Sequence, residues 1–191
     1  RLSLLETAWM SGIQFYLRDD VMLSHGHTIY ADSPWALTSI SQQQFWKQRL
    51  SGVGDGTVRG ILSVDISDWT SPGFLLHLPA DNIDDRTKIK DEVWEQLRLS
   101  LNDDPGVDLM DSNLAHWYLD DSIVTGGPTG KPENREPLLV NTVGSWANRP
   151  EAHTGIPNLY LASDFVRTYT DLATMEGANE AARRAVNAIL E

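Results

Sequence analysis

A short apolar run followed by a helix of small residues closes the chain, and this pair most constrains the fold. Residues 159–162 are four apolar residues in a row, which is typical of a buried strand in a parallel sheet. From about Thr174 to Leu190, small and apolar residues recur at helical spacing, and Thr174 or Asp171 is placed to cap this helix. A strand followed by a helix is the repeating unit of α/β proteins, so we predict an α/β fold class. One face of the predicted helix comprises Ala178, Ala181, Ala182, Ala185, Val186, Ile189 and Leu190.

Upstream, β-prone runs surround one clear helix. A four-residue apolar period predicts a helix over residues 84–101, ended by the turn signal at 103–106. The stripe consists of Ile89, Val93, Leu97 and Leu101. A shorter polar helix is predicted over residues 42–50, with Phe45, Trp46 and Leu50 as its apolar residues. Strands are predicted over residues 9–19, 25–32, 35–41, 58–66 and 115–124, with a Gly-rich turn at 52–56 and a solvated loop at 125–137.

Charge and cysteine content exclude several classes of function. The 27 acidic and 15 basic residues give a net charge of −12, so nucleic acid is not expected as a partner. The same charge disfavours anionic lipid surfaces, which leaves peripheral membrane contact without support. No apolar run approaches the roughly 18 residues of a membrane helix. Cysteine is absent, which is consistent with a reducing compartment, and we expect a cytoplasmic protein.

Three further patterns have ordinary structural explanations. The glycines at 52–60 precede a strand, whereas a dinucleotide-binding turn opens a helix. Residues 126–131 resemble a phosphate loop, but Pro132 stands where that loop needs Ser or Thr. His25 and His27 would share a strand face without a third ligand, so no metal site is predicted. The paired carboxylates lie at element boundaries, where caps and turns are expected, so no catalytic residue is assigned: Asp19–Asp20, Asp84–Asp85, Asp103–Asp104 and Asp120–Asp121.

One constellation points to a ligand. Asp164 follows the apolar run, and residues 174–178 open the last helix. Ligands of open α/β sheets bind at the carboxyl ends of strands. There a carboxylate accepts hydrogen bonds from sugar-like hydroxyls, and a helix N-terminus offers free N–H donors and partial positive charge. Gly177 and Ala178 carry almost no side chain, so a flat ring or a backbone could approach them closely. An ordinary amphipathic helix with a capped start explains the same pattern.

Residues 158–190 resemble the C-terminal signature of the flavin-containing amine oxidoreductases, and more narrowly of their phytoene desaturase and hydroxysqualene dehydroxylase branch. The match rests on the segments Ala162-Ser163-Asp164 and Met175-Glu176-Gly177-Ala178, with Ser163 where the family usually has glycine. A weaker match covers residues 33–46. The resemblance implies part of a substrate-binding domain with an α+β sheet over residues 1–150. Residues 151–191 would be the last strand–helix unit of a Rossmann-like FAD-binding domain.

The resemblance also implies a site for FAD. Asp164 would bind the ribityl chain or the adjacent phosphate, and the backbone at Met175 would face the pyrimidine end of the isoalloxazine. The implied cofactor-binding residues are Asp164, Thr174, Met175, Glu176, Gly177 and Ala178. Hydride transfer from a substrate carbon to flavin N5 is the expected chemistry, without a metal or a protein nucleophile. Five aromatic residues either line an apolar tunnel for a lipid-like substrate or pack in the core: Trp9, Phe15, Trp35, Phe45 and Trp46.

The family's N-terminal strand, its GxGxxG turn and its ribose-binding acid are not among these 191 residues. The chain begins with Arg1, and we expect the C-terminal part of a longer protein or one subunit of a split flavoenzyme. Its partner would be the remainder of the flavoenzyme chain or a complementary subunit, and alone it would bind FAD weakly or not at all. The alternative is a non-catalytic subunit or binding module that retains this architecture. Ser163 and the missing half of the cofactor site favour that alternative.

Overall fold

The computed structural model describes residues 2–21, 23–102 and 109–190, and its mixed helices and strands confirm the α/β fold class. Its strands and helices are β1 (Glu6–Ala8), β2 (Ser11–Leu17), β3 (His27–Ile29), β4 (Thr38–Ser41), β5 (Gly60–Ile66), α1 (Arg86–Leu101), β6 (Leu114–Leu119), β7 (Ile123–Val124), β8 (Glu133–Asn134), β9 (Leu138–Val140) and α2 (Met175–Leu190).

Two compact units divide the chain. Trp9–Glu136 form one, which we call the sheet unit, and Arg1–Ala8 with Pro137–Glu191 form the other, the terminal unit. The domain boundary predicted between residues 150 and 151 stays a prediction. Along the chain, the two compact units are divided at 8/9 and 136/137. The reason is that β1 pairs antiparallel with β9, which joins the first residues of the chain to residues 138–140.

The sheet unit is built on a five-stranded antiparallel sheet in the order β3-β4-β5-β2-β6. Every second residue of β2 and β5 is buried, as expected for strands with one face on a core. Helix α1 contributes to the same core, and Trp94 of α1 lies 5.0 Å from Phe15 of β2 between ring centroids. The predicted period-four stripe of α1 is confirmed, since all four of its residues are buried. Asp85 caps the helix by accepting hydrogen bonds from the amides of Thr87 and Lys88.

All five strand predictions in the sheet unit are confirmed, mostly in shorter form, as β2, β3, β4, β5 and β6 with β7. The Gly-rich turn is also confirmed, with positive φ at Gly54 and Gly56. The predicted loop at 125–137 contains β8, which pairs with β7. The turn signal at 103–106 lies outside the described residues.

The helix predicted over residues 42–50 is wrong. Two short 3-10 turns occupy this region, at Gln42–Phe45 and Leu50–Gly52. The buried amide of Gln43 explains the break, because it accepts a hydrogen bond from the Leu50 amide at 2.8 Å and donates one to the Gln48 carbonyl at 3.2 Å. This side chain replaces backbone hydrogen bonds that a continuous helix would make.

The terminal unit has a small core of short side chains. Ala152, Val166, Ala181 and Ala185 are buried, and Leu161 and Phe165 pack against them. Helix α2 confirms the predicted final helix, but the buried face is narrower than predicted. Gly177, Ala181 and Ala185 are its buried residues, whereas the outer part of the predicted face is exposed because so small a core covers only one side of the helix: Ala182, Val186, Ile189 and Leu190.

The buried strand predicted over residues 159–162 is wrong. Leu159 is 41% exposed and Tyr160 is 39% exposed. A buried parallel strand needs hydrogen-bonded neighbours and cover on both faces. Among the described residues of the terminal unit, this run pairs only with residues 152–153, through a bridge between His153 and Tyr160 and a hydrogen bond from the Leu161 amide to the Ala152 carbonyl.

Candidate functional site

Asp164 lies at the end of the apolar run with part of its side chain open to solvent. Its carboxylate accepts a hydrogen bond from the Ser163 hydroxyl at 3.1 Å, and its backbone carbonyl accepts one from Nη1 of Arg149 at 2.8 Å. The carbonyl is therefore fixed by the protein interior. The carboxylate keeps further lone pairs for hydroxyl donors.

Ser163 has φ of +106°, in the region of backbone space that strongly favours glycine. The family's usual glycine at this position therefore has a physical reason, namely the conformation that turns the chain into Asp164. The sequence raised the prospect of an altered backbone here. The structure instead retains the special conformation and places a side chain in it.

Thr174 caps the start of α2. Its hydroxyl accepts a hydrogen bond from the Gly177 amide at 3.1 Å, and its carbonyl accepts one from the Ala178 amide at 3.0 Å. Asp171, the other predicted cap, instead contacts Arg149. The amides of Met175 and Glu176 belong to the first turn, where helix geometry provides no intrahelical acceptor. Both side chains are exposed, so the first turn of α2 faces outward.

At Gly177 the close approach is made by the backbone, which is one of the two possibilities that the sequence left open. It is buried, and a Cβ at this position would lie 2.6 Å from the carbonyl oxygen of Leu172. Glycine is thus required by the close passage of the preceding backbone. The space beside Gly177 is therefore occupied by the backbone of Leu172 rather than left open for a ring. A ligand at this end of α2 would meet Met175 and Glu176 first.

Residues 165–174, which we call the connector, link Asp164 to α2. Glu180 of α2 holds its middle by accepting hydrogen bonds from the amides of Tyr169 (2.9 Å) and Thr170 (3.2 Å). Glu180 also pairs with Arg184 at 2.7 Å, one helical turn further on. The Tyr169 amide, with Arg184 and Thr170, lowers the pKa of Glu180 to about 2. A charged Glu180 therefore clamps the connector to the helix at neutral pH.

Sequence reasoning missed the roles of Glu180 and Arg149, the two side chains that hold the connector. Glu180 and Arg184 stand four residues apart in a predicted helix, which is a readable ion-pair signal. Arg149 offered no signal, because it stands in an irregular segment and is nevertheless only 2% exposed.

Two cavities adjoin α2. One, of about 640 Å³, is lined by residues 151–160 with Arg184, Asn187 and Ala188. The other, of about 490 Å³, is lined by Met175, Glu176, Asn179, Glu180 and Arg183. The second cavity contains two of the predicted site residues. Thr174, Gly177 and Ala178 lie on the adjoining turn, and Asp164 is linked to it by the connector.

The aromatic residues of the sheet unit have mostly structural roles. Phe15 and Trp35 are fully buried, and Trp9 packs edge-on against Trp69 with ring centroids 5.3 Å apart. These three therefore belong to the core rather than to a substrate tunnel. Phe45 and Trp46 are about half exposed.

Two other residues singled out in the sequence have hydrogen-bond partners, and the pair Asp103–Asp104 lies outside the described residues. Nδ1 of His25 lies 2.8 Å from Oε1 of Gln44, and Asp84 accepts a hydrogen bond from the Gly126 amide. In residues 2–21, 23–102 and 109–190, no three His, Asp or Glu side chains are grouped as metal ligands. Across the same described ranges, no helix has both the length and the apolarity needed to cross a membrane.

Comparison with known proteins agrees with the C-terminal signature. The family model of the flavin containing amine oxidoreductases matches residues 42–190, well over half of the chain. The chain belongs to this family, and it carries a flavin-dependent oxidoreductase domain whose cofactor is a flavin. A search of curated proteins gave no match.

The residues present fit part of such a cofactor. A carboxylate with an open edge suits a polyol, and the Met175 and Glu176 amides, which have no intrahelical acceptor, suit the electron-rich edge of the ring. The backbone of both features is held by side-chain hydrogen bonds. Arg149 donates to the Asp164 carbonyl, and Thr174 accepts from the Gly177 amide in the first turn of α2.

Proposed function

We propose that this chain supplies the isoalloxazine and ribityl side of an FAD site in a desaturase-like oxidoreductase. One observation carries the proposal: Asp164 and the start of α2 are joined by a connector that buried and charged side chains hold in place. The bound flavin supplies a ring that accepts hydride from a substrate carbon.

In this proposal Asp164 binds the ribityl chain of the flavin and orients it. Its carboxylate accepts hydrogen bonds from the ribityl hydroxyls, and the Ser163 hydroxyl at 3.1 Å holds the carboxylate in place. A charged acceptor makes stronger hydrogen bonds than a neutral one. Loss of this carboxylate would therefore weaken flavin binding more than loss of a surface carboxylate elsewhere.

In this proposal the first turn of α2 stabilises negative charge on the flavin ring. Its free amides and the positive end of the helix dipole stabilise negative charge at the pyrimidine edge of the ring. Glu180 does not oppose this effect strongly, because its charge is committed to Arg184 and to the amides of Tyr169 and Thr170.

An apolar, lipid-like substrate is the second part of the proposal. Its support is a groove of about 480 Å³ in the sheet unit, lined in part by Ile29, Phe74 and Leu99. These side chains are 74%, 43% and 54% exposed. Exposed apolar side chains grouped along a groove are typical of surfaces that bind apolar ligands.

A partner polypeptide completes the proposed site. The exposed run at Leu159 and Tyr160 and the exposed apolar side of α2, with Val186 and Ile189, lie on the terminal unit. The remainder of a flavoenzyme chain or a complementary subunit would cover them and bind the adenosine half of FAD. The absence of cysteine supports a cytoplasmic location. The special backbone retained at Ser163 removes one reason for preferring a non-catalytic module.

Flavin titration of the purified chain tests the proposal. We expect FMN and FAD to bind with similar dissociation constants, on the order of 10⁻⁴ M, because the described residues address only the part that the two share. Asp164→Ala should weaken the binding of FMN and of FAD about tenfold. Asp55→Ala, which removes an exposed carboxylate from a loop of the sheet unit, is the matched control and should change neither.

Two results would contradict the proposal. Absence of FMN binding at about 1 mM, ten times the expected dissociation constant, would remove the flavin site from this chain. A tightly bound, stoichiometric yellow complex with FAD but not with FMN would show that the chain also holds the adenosine half.

A further inference from the structure

Arg149 joins three segments of the terminal unit. Nη1 donates a hydrogen bond to the Asp164 carbonyl at 2.8 Å, and Nη2 donates one to Oδ1 of Asn141. Nε lies 3.1 Å from Oδ1 of Asp171, although its N–H does not point at that oxygen, so this contact is an ion pair without a hydrogen bond. The guanidinium thus ties the residue before the connector to a residue near its end.

The burial of Arg149 indicates that an arginine is needed at this position. Arg149 is only 2% exposed, so it cannot itself touch a ligand in solvent. Burying a guanidinium costs more than its ion pair returns unless the remaining donors are also satisfied, and an apolar residue would fill the same space without that cost. The planar, rigid fork of arginine fixes the relative positions of the groups it binds. Lysine, with one rotatable ammonium, does not.

The bound groups are the ones that the proposed flavin site must keep in register. Asp164 provides the carboxylate, and Asp171 stands four residues before the first residue of α2. The side chain of Asn141 also donates a hydrogen bond to the Asp171 carbonyl, so Asp171 is held through both its backbone and its carboxylate. From the helix side, Glu180 holds the amides of Tyr169 and Thr170.

We propose that Arg149 is a positioning residue for the flavin site, setting the distance between Asp164 and the N-terminus of α2; this inference rests on the proposed function. Arg149 acts on the flavin by keeping the Asp164 carboxylate in register with the start of α2. Its contribution to flavin affinity therefore requires the Asp164 carboxylate, whereas its contribution to folding requires only the Asp164 backbone.

A double-mutant cycle on the whole chain separates these two contributions, with FMN as the probe. The four proteins are the wild type, Arg149→Lys, Asp164→Ala and the double variant, each measured for FMN dissociation constant and for thermal midpoint without FMN. Asp164→Ala keeps the carbonyl that Arg149 binds, so the effect of Arg149→Lys on the thermal midpoint should be the same in both backgrounds. We expect Arg149→Lys to weaken FMN binding about tenfold alone and by less than twofold in the Asp164→Ala background.

The other outcomes overturn the inference in distinguishable ways. Equal loss of FMN affinity in both backgrounds, or no loss in either, means that Arg149 is structural only and leaves the proposed function standing. No FMN binding by the wild type at about 1 mM overturns the proposed function, and the inference with it.

Asp171→Asn replaces Arg149→Lys in the double-mutant cycle if the Arg149→Lys protein does not fold. Asp171 has φ of +45°, and asparagine adopts this conformation as readily as aspartate does. The change therefore preserves shape and backbone and removes only the charge that faces Arg149. In the same cycle we expect it to weaken FMN binding about threefold, again only when Asp164 is present. The same loss without Asp164 would overturn the inference.

Discussion

Different interactions stabilise the interior of each of the two units of this protein. The sheet unit has a continuous core of large side chains, including Phe15, Trp35 and Leu97, all fully buried. The terminal unit buries mainly alanines and one valine, and it encloses the guanidinium of Arg149. Hydrophobic stabilisation grows with apolar area buried, so the sheet unit should be the more stable of the two. The terminal unit relies more on polar contacts, and these surround the proposed site.

Truncation of core side chains should give the largest difference between the units. Phe15→Ala should lower the free energy of unfolding of the sheet unit by about 3–5 kcal/mol. Val166→Ala, its counterpart in the terminal unit, should cost about 2 kcal/mol, because only two methyl groups are lost. Urea unfolding followed by tryptophan fluorescence measures the first, since six of the seven tryptophans lie in the sheet unit. Equal costs would contradict the difference in core size.

The sheet unit also contains a buried charge, which sharpens the comparison with Arg149. Glu92 is fully buried and accepts hydrogen bonds from the amides of Phe74, Leu75 and Leu76. Glu92→Gln should destabilise the unit by about 2–3 kcal/mol in urea unfolding, because an amide donor then faces N–H groups. Glu95→Gln, one turn away and partly exposed in an ion pair with Arg98, should stay within about 0.5 kcal/mol. Similar values for the two variants would contradict this interpretation.

A glycine at position 163 should stabilise the terminal unit. Ser163→Gly relieves a positive φ of 106°, and we expect a gain of about 0.5–1 kcal/mol after the entropy of the more flexible unfolded chain is subtracted. Ser163→Ala is the control, since it keeps the Cβ and loses the hydroxyl contact to Asp164. Amide exchange in residues 158–174 measures both. Faster exchange in the glycine variant than in the alanine variant would show that Ser163 is not strained.

Glu180 should give the terminal unit a distinctive response to acid. Its pKa in the folded protein is about 2, below the ordinary value of 4.5. The contribution of its charge is therefore complete above about pH 4.5 and is lost as the pH falls towards 2. Glu180→Gln should lower the thermal midpoint at neutral pH, and its difference from the wild type should shrink over that range. Glu176→Gln, at an exposed position in the first turn of the same helix, removes only a favourable interaction with the helix dipole and should show a smaller change with pH. A pH-independent difference for Glu180→Gln would contradict the clamp.

Regular elements with a clear hydrophobic period were predictable from sequence. The stripe of α1 and the alternation along β2 and β5 reflect burial of one face, which the residues themselves encode. The small residues of α2 indicated a helix, but they did not indicate which side packs. That choice depends on the passage of the Leu172 carbonyl over Gly177, a contact set by the fold.

Long-range and side-chain-determined features were not predictable. The pairing of β1 with β9 joins residues 130 to 134 positions apart, so no local window contains it. The break after Gln42–Phe45 depends on where the Gln43 amide points. At the candidate site, Asp164 and the start of α2 were named from motif residues. Arg149 was missed because an isolated arginine in irregular chain gives no sign that it will be buried.

The most direct test of the flavin site is residue-level NMR of the isotope-labelled chain during titration with FMN. We expect the amide signals of Asp164 and of residues 175–178 to shift together with one dissociation constant, while those of the sheet strands β2 and β5 stay in place. Shifts confined to the sheet unit, or shifts at only one of the two terminal-unit positions, would contradict a site formed jointly by Asp164 and the first turn of α2.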